Sequence, residues 1–264
     1  MIKTNIFLIA LLALSFACFT PIDSFAQITT NLTNGVTNVD TEDPFGDLPI
    51  LDPTRIVVFL EDFNDYSATY WAATTTEDGT AAATEAIQNA TPSQITITND
   101  NADNDLDLIE FYKEIVTFDY GKKTWYEAKF KVSDASETDV IMGLAIGSAT
   151  SPVCLPVDGV VFHKADGSEV MNISIVKDGL SVSSTALVTL VDDTWVTVSL
   201  RWDGVSKITY YVDGDARGIQ TVTGYVPDNE ALNPMFGIMN GELCNSVAGT
   251  KTMTVDYICF IQER

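Results

Sequence analysis

Six Asp-Gly pairs punctuate this sequence, at 78-79, 158-159, 166-167, 178-179, 203-204 and 213-214. Asp-Gly suits tight turns, because glycine takes positive φ without strain and aspartate hydrogen-bonds its own backbone. Between the turns, apolar residues recur at every second position. Val196, Val198, Leu200 and Trp202 share one face of a segment; Thr197, Ser199 and Arg201 share the other. Tyr126, Ala128, Phe130 and Val132 alternate with Trp125, Glu127, Lys129 and Lys131. Ile208, Tyr210 and Val212 repeat the pattern. Such alternation sets one face of a strand on a core and the other toward solvent, as antiparallel sheets do. Asp166-Gly167 and Asp203-Gly204 lie between strand segments, so each marks a hairpin. No long amphipathic helix is present; Thr80 to Ala90 reads as a short helix or as a strand and loop. The spacing predicts an all-β fold, a two-sheet antiparallel jelly-roll sandwich of about 12 to 14 strands.

The 264 residues divide into three parts. Met1 to Ala26 reads as an export signal, with Lys3 as its basic start, an apolar run from Ile6 to Phe19 and a small-x-small end at Ser24-Phe25-Ala26. Cys18 after Ala17 raises a lipid anchor as the alternative, against a poor match at Ser15-Phe16. The expectation is a secreted or cell-surface protein. Residues 27-53, rich in Thr, Asn, Asp and Pro, read as an extended arm or linker, and residues 54-264 as the sandwich.

Charge narrows the partners. With 14 basic and 37 acidic residues the net charge is −23. Such a surface repels phosphate backbones and anionic lipid heads, which excludes nucleic-acid binding and disfavours membranes. Solubility, a saline setting and cation recruitment all fit it. The single histidine, His163, leaves no set of residues for a zinc cluster, and on its strand it reads as an ordinary side chain. After the signal, three cysteines remain: Cys154, Cys244 and Cys259. Cys154 and Cys244 could pair in an oxidising compartment, or all three stay free. Cys259 shares a face with Val255 and Tyr257 and reads as a buried thiol.

Several stretches resemble the concanavalin A-like lectin/glucanase superfamily, including laminin G-like modules. They are Val57-Val58-Phe59-Leu60-Glu61-Asp62-Phe63 at the start, Thr194-Trp195-Val196-Thr197-Val198 and Ile208-Thr209-Tyr210-Tyr211-Val212-Asp213-Gly214 in the middle, and Met253-Thr254-Val255-Asp256-Tyr257-Ile258 at the end. The chain is also similar to virion-associated structural proteins of marine tailed bacteriophages. That similarity lies in Asp52-Pro53-Thr54, Glu61-Asp62-Phe63, Gly121-Lys122-Lys123-Thr124-Trp125, Ala128 to Ala135, Lys164-Ala165-Asp166-Gly167 and Lys251 to Tyr257. The second resemblance implies a non-catalytic head-decoration or assembly role, with protein partners or self-association. The first leaves a secreted, laminin G-like carbohydrate-binding module as the alternative.

Catalysis sets demands of its own. Retaining glycosidases need two carboxyl groups about 5 Å apart, and the glucanases of this superfamily carry them on one strand as Glu-x-Asp-x-(x)-Glu. Glu110 and Glu114 lack the middle aspartate, and Glu61, Asp62 and Asp65 break same-face spacing. No catalytic residue is therefore assigned, and the expectation is that the chain is not an enzyme. Calcium is the metal expected, because acidic and amide side chains crowd Asn99 to Asp107 and hard cations prefer oxygen. The candidate ligands there are Asp100, Asp103 and Asp105. The superfamily resemblance implies a second set, Glu61 or Asp62 with Asp256, joining the first and last strands. A sugar ligand would meet Trp71, Trp125, Tyr211 and Asn240.

Overall fold

A computed structural model describes residues 54–76, 83–88, 92–100, 102, 104–113, 115–146, 155–228, 230–241 and 250–264. Among these every regular element is a strand. In chain order they are β1 (Ile56–Glu61), β2 (Trp71–Thr76), β3 (Thr84–Gln88), β4 (Gln94–Asn99), β5 (Leu106–Phe111), β6 (Thr124–Val132), β7 (Thr138–Ala145) and β8 (Gly159–Lys164). There follow β9 (Val170–Lys177), β10 (Leu180–Thr189), β11 (Val196–Trp202), β12 (Lys207–Val212), β13 (Asp215–Thr221), β14 (Asn233–Asn240) and β15 (Lys251–Glu263). Fifteen strands exceed the expected number; one of the additions is β3, which settles the Thr80 to Ala90 ambiguity in favour of a strand.

The strands form two antiparallel sheets. The eight-stranded sheet runs β13-β12-β11-β6-β15-β4-β3, with β1 also paired to β15. The seven-stranded sheet runs β10-β9-β8-β7-β14-β5-β2. This is the jelly-roll sandwich that the alternation implied. The Asp-Gly turns sit where the chain reverses. Asp178 and Gly179 (φ 51° and 74°) join β9 to β10, and Asp213 and Gly214 (φ 52° and 84°) join β12 to β13. Both central residues have positive φ, which matches the right-handed twist of the flanking strands. At Asp203 one carboxylate oxygen accepts the N–H groups of Val205, Ser206 and Lys207 and so fixes the β11–β12 turn.

The inward residues of the two sheets form one core. Tyr126, Ala128, Phe130 and Val132 of β6 meet Val140, Met142 and Leu144 of β7 across the sandwich. Trp71 anchors one end of it, with Phe63, Phe111 and Phe236 at ring-centroid distances of 5.9, 5.2 and 5.6 Å. Burying large aromatics edge to face adds to the stabilisation from area alone.

Two local features change the expected faces. A bulge in β15 between Val255 and Tyr257 shifts the alternation by one residue. Val255 is therefore in the core with Ile258 and Phe260, while Cys259 is half-buried on the outer side beside Ile56, Trp125 and Ile261. Cys259 thus does not share a face with Val255. The seven-stranded sheet, in turn, is apolar on both faces. Leu106, Leu108, Ile141, Ala145, Val161, Met235 and Met239 are buried in a second cluster on its outer side.

Candidate functional site

The outer face of the seven-stranded sheet is the natural place for a site, because its central strand brings acids to one end. On β7, Asp139, Ile141, Gly143 and Ala145 point away from the main core, by alternation with Val140, Met142 and Leu144. Glu137 lies two residues before Asp139. Asp134 organises this approach, since its Oδ1 accepts the N–H of Ser136 (3.1 Å) and of Glu137 (2.9 Å). Asp139 is fully buried, and its Oδ1 accepts the N–H of Asp166 at 2.7 Å. That contact draws the β8–β9 turn, with the half-buried Asp166, against the head of β7.

A buried lysine lies among these acids. Lys164, with no exposed surface, donates to the carbonyls of Thr138 and of Ala165. Burial pushes its amine down to about 8, against the pull of Asp139, Asp166, Asp134 and Glu137. Glu137, two residues before the buried Asp139, and Asp166, whose backbone N–H reaches it, are both partly exposed.

Further along the same face, His163 of β8 is half-buried. Its Nε2 lies 2.8 Å from Ser174 Oγ, which in turn lies 2.7 Å from Ser183 Oγ on β10. Burial lowers the His163 pKa, so the ring is neutral at pH 7. Glu110 of β5 faces the same side beside Met235, and burial raises its pKa. Gly143 is obligatory in the floor of this face. A Cβ there would stand 2.3 Å from the carbonyl oxygen of Val160.

The residues expected from sequence fall elsewhere. Trp71 is 1% exposed in the core and donates its indole N–H to Glu61 Oε2 at 3.2 Å. Trp125 is 0% and Tyr211 3% exposed, although both lie on the outer side of their strands. Asn240 is buried, and its amide nitrogen donates to the carbonyls of Asp100 (2.7 Å) and Ala102 (3.1 Å). None of the four offers an open surface for a sugar. The residues of the first-and-last-strand metal set, Glu61 or Asp62 with Asp256, each have contacts of their own within the protein. Glu61 accepts from Phe63 N and the Trp71 indole, Asp62 accepts from Asn64, and Asp256 Oδ2 pairs with Lys129 Nζ at 2.7 Å. In the loop before β5, Asp100 Oδ1 accepts the Ala102 N–H and Asp105 is fully buried. Asp103, Cys154 and Cys244 lie outside the described residues.

The metal-capable cluster among the described residues is a different one. Asp158, Asp178 and Glu230 bring ligand oxygens within 4.8 Å of one another and could hold a metal ion. It joins the turn before β8 to the β9–β10 hairpin, where Asp158 Oδ1 accepts the Asp178 N–H at 2.8 Å.

Comparison with known proteins gives the fold its name. No protein-family model matches the chain, and no curated protein matches it in sequence. Solved structures do match. An endo-1,3-beta-glucanase from Streptomyces sioyaensis superposes with a TM-score of 0.58 at 15% identity, covering 80% of this chain and 98% of the enzyme. A glycoside hydrolase family 16 enzyme from Bacteroides ovatus, in complex with a mixed-linkage glucan product, gives 0.54 at 16% identity, over 76% of this chain and 98% of its own. An endo-beta-1,4-glucuronan lyase from Trichoderma reesei gives 0.50 at 12% identity, over 76% and 94%. The fold is that of the concanavalin A-like jelly rolls.

These neighbours correct two expectations. They cleave glycans, and none of them is a virion protein. Their chemistry overturns the expectation of a non-catalytic head-decoration module, and with it the expectation that the chain is not an enzyme. A binding-only laminin G-like module fares no better. The fold implied by the superfamily resemblance stands; the bacteriophage resemblance finds no support. The acids at the head of β7 have a sequence signal of their own. Glu137-Thr138-Asp139 matches the first two positions of Glu-x-Asp-x-(x)-Glu. The third position falls on Ile141 or Met142, neither of them an acid, so the full motif is missing and the partial one is easily missed.

Proposed function

We propose that this chain is a carbohydrate-active enzyme whose acids at the head of β7 act on a neutral β-glucan. The observation that carries the reading is the gathering of Glu137, Asp139 and Asp166 at one end of the central strand, on the outer face of a glucanase-like sheet. Glycosidic cleavage needs two carboxyl groups that flank the bond, one as acid and one as base or nucleophile. Glu137 and Asp166 are the accessible pair. Asp139, buried, holds the Asp166 backbone in place and adds negative charge near a developing oxocarbenium ion. A neutral glucan fits the charge, because a chain of net charge −23 repels polyanionic polysaccharides. The export signal proposed for residues 1-26 fits a polymer met outside the cell.

The test is release of reducing ends from soluble β-1,3-, β-1,4- and mixed-linkage glucans. Activity on at least one is expected. Glu137→Gln should lower it by about 100-fold or more, the usual range for a lost acid or base. Silence on all three, or undiminished activity in Glu137→Gln and Asp166→Asn, sinks the reading.

A further inference from the structure

The register of β7 and β8 runs from Ala145↔Gly159 to Val140↔Lys164 and ends there. Past that point lie the two acid-bearing segments: Glu137 to Asp139 on the β7 side, and Asp166 in the turn that follows β8. Contacts of another kind take over where the register stops. The Asp166 N–H donates to Asp139 Oδ1 at 2.7 Å, and the Gly167 N–H donates to the Ser136 carbonyl at 2.9 Å. Lys164 supplies two further bonds. Its Nζ donates to the carbonyl of Thr138, between Glu137 and Asp139, and to the carbonyl of Ala165, next to Asp166, at 3.2 Å. One ammonium thus holds the main chain of both segments.

Lys164 makes this link from beneath. By alternation it shares the inner side of β8 with Val160 and Phe162 of the main core, and it has no exposed surface. Its side chain therefore does not meet a substrate on the outer face. Burying an ammonium is costly unless its donors find acceptors. Here the acceptors are two main-chain carbonyls, one from each acid-bearing segment. An apolar side chain in the same place would avoid that cost, but it would leave both carbonyls without this donor. Burial holds the amine down to about 8, and perturbed groups of this kind concentrate at functional sites.

We infer that Lys164 is a positioning residue, whose two bonds to the main chain set the gap between Glu137 and Asp166. The inference rests on the proposed glucan site and adds to it the group that fixes its spacing. A carboxyl pair depends on that spacing, because its members must flank one glycosidic bond. A misplacement of about 1 Å can cost roughly 100-fold in rate. Asp134 steadies the Glu137 segment from within, through the N–H groups of Ser136 and Glu137 and an ion pair with Lys251. Lys164 governs the distance between the two segments rather than the shape of either.

The experiment compares the full-length wild type with Lys164→Met in two readouts. The first is turnover on the soluble β-glucan that the wild type cleaves best. There kcat should fall by roughly 10- to 100-fold with KM within about twofold, because the glucan still binds while the acids are misplaced. The second is amide hydrogen exchange, which needs no activity. In the wild type the Asp166 and Gly167 amides, although in a turn, should exchange about as slowly as those of β7; in Lys164→Met they should exchange at least about tenfold faster while β7 stays unchanged. The wild-type pattern can be read even if the variant fails to fold. Fast exchange at the two amides in the wild type, or unchanged exchange in Lys164→Met, overturns the inference. With an active wild type, an undiminished kcat in Lys164→Met, or a loss through KM alone, overturns it and leaves the glucan reading intact. A wild type inactive on every glucan removes that reading instead, and the exchange rates still decide whether Lys164 holds the two segments together.

Discussion

Lys164 predicts an unusual rise of stability with pH. In the folded chain burial pushes its amine from an ordinary 10.5 down to about 8. Above pH 8 the folded protein therefore releases a proton that the unfolded chain keeps. The unfolded state then binds more protons, and stability rises with pH. The whole difference corresponds to roughly 3 kcal/mol, reached only above the unfolded value. Between pH 7 and 9 the lysine contributes about 1.3 kcal/mol, by integrating the linkage relation with these two values. The upper limit of the window matters. Burial raises the Cys259 thiol from 9.0 to about 12, so above pH 9 the unfolded thiol ionises first and stability falls. Tyr66 adds the same trend above 10. The assay is urea unfolding at pH 7, 8 and 9, for the wild type and for Lys164→Met. Over that range the wild type should gain about 1.3 kcal/mol relative to the variant. Equal slopes in the two proteins, or a wild type that weakens from pH 7 to 9, would refute the burial argument.

Other outcomes follow from packing and from the single histidine. Trp71→Ala empties the centre of an aromatic cluster and should cost about 3–5 kcal/mol, read as a drop in the urea midpoint at unchanged slope. Gly143→Ala sets a methyl 2.3 Å from the Val160 carbonyl oxygen; β7 and β8 must part, so soluble folded yield should collapse while the neighbouring Ala145→Gly is tolerated. His163 has a folded pKa below its ordinary 6.5, so the unfolded state takes up a proton first as pH falls. Stability should drop as pH falls below 6.5, and the drop should be smaller in His163→Gln; identical acid slopes count against a buried neutral ring.

Much of the fold was legible because its signals are local. Asp-Gly turns fix where strands end, and the alternation in β6, β11 and β12 names their inward faces without reference to the rest of the chain. The failures have physical causes too. Leu106, Asp107 and Leu108 alternate as if the leucines face the core and the aspartate water. The structure does the reverse, because the outer side of that sheet has an apolar cluster of its own, and the aspartate, alternating with the leucines, is fully buried on the opposite side. Alternation also cannot report what covers an outer face, so Trp125 and Tyr211 read as available when both are buried. One bulged residue in β15 moved Val255 and Cys259 to opposite sides. The acids of the candidate site come from the head of one strand and from a distant turn, and the Asp139–Asp166 contact joins them.

The last strand has a consequence for how the molecule comes into being. β15, of 13 residues, pairs with β6 along one edge and with β4 and then β1 along the other. Ile56, at the start of the first strand, finds its partner only at Glu263. The eight-stranded sheet therefore cannot close on a growing chain. Its two halves wait as separate, sticky hairpins until β15 has been made, and then join through contacts between the two extremes of the domain. Such closure is slow and leaves bare edges open to other chains meanwhile. A chain cut just before β15 would be a protein that never assembles, rather than one slightly shortened.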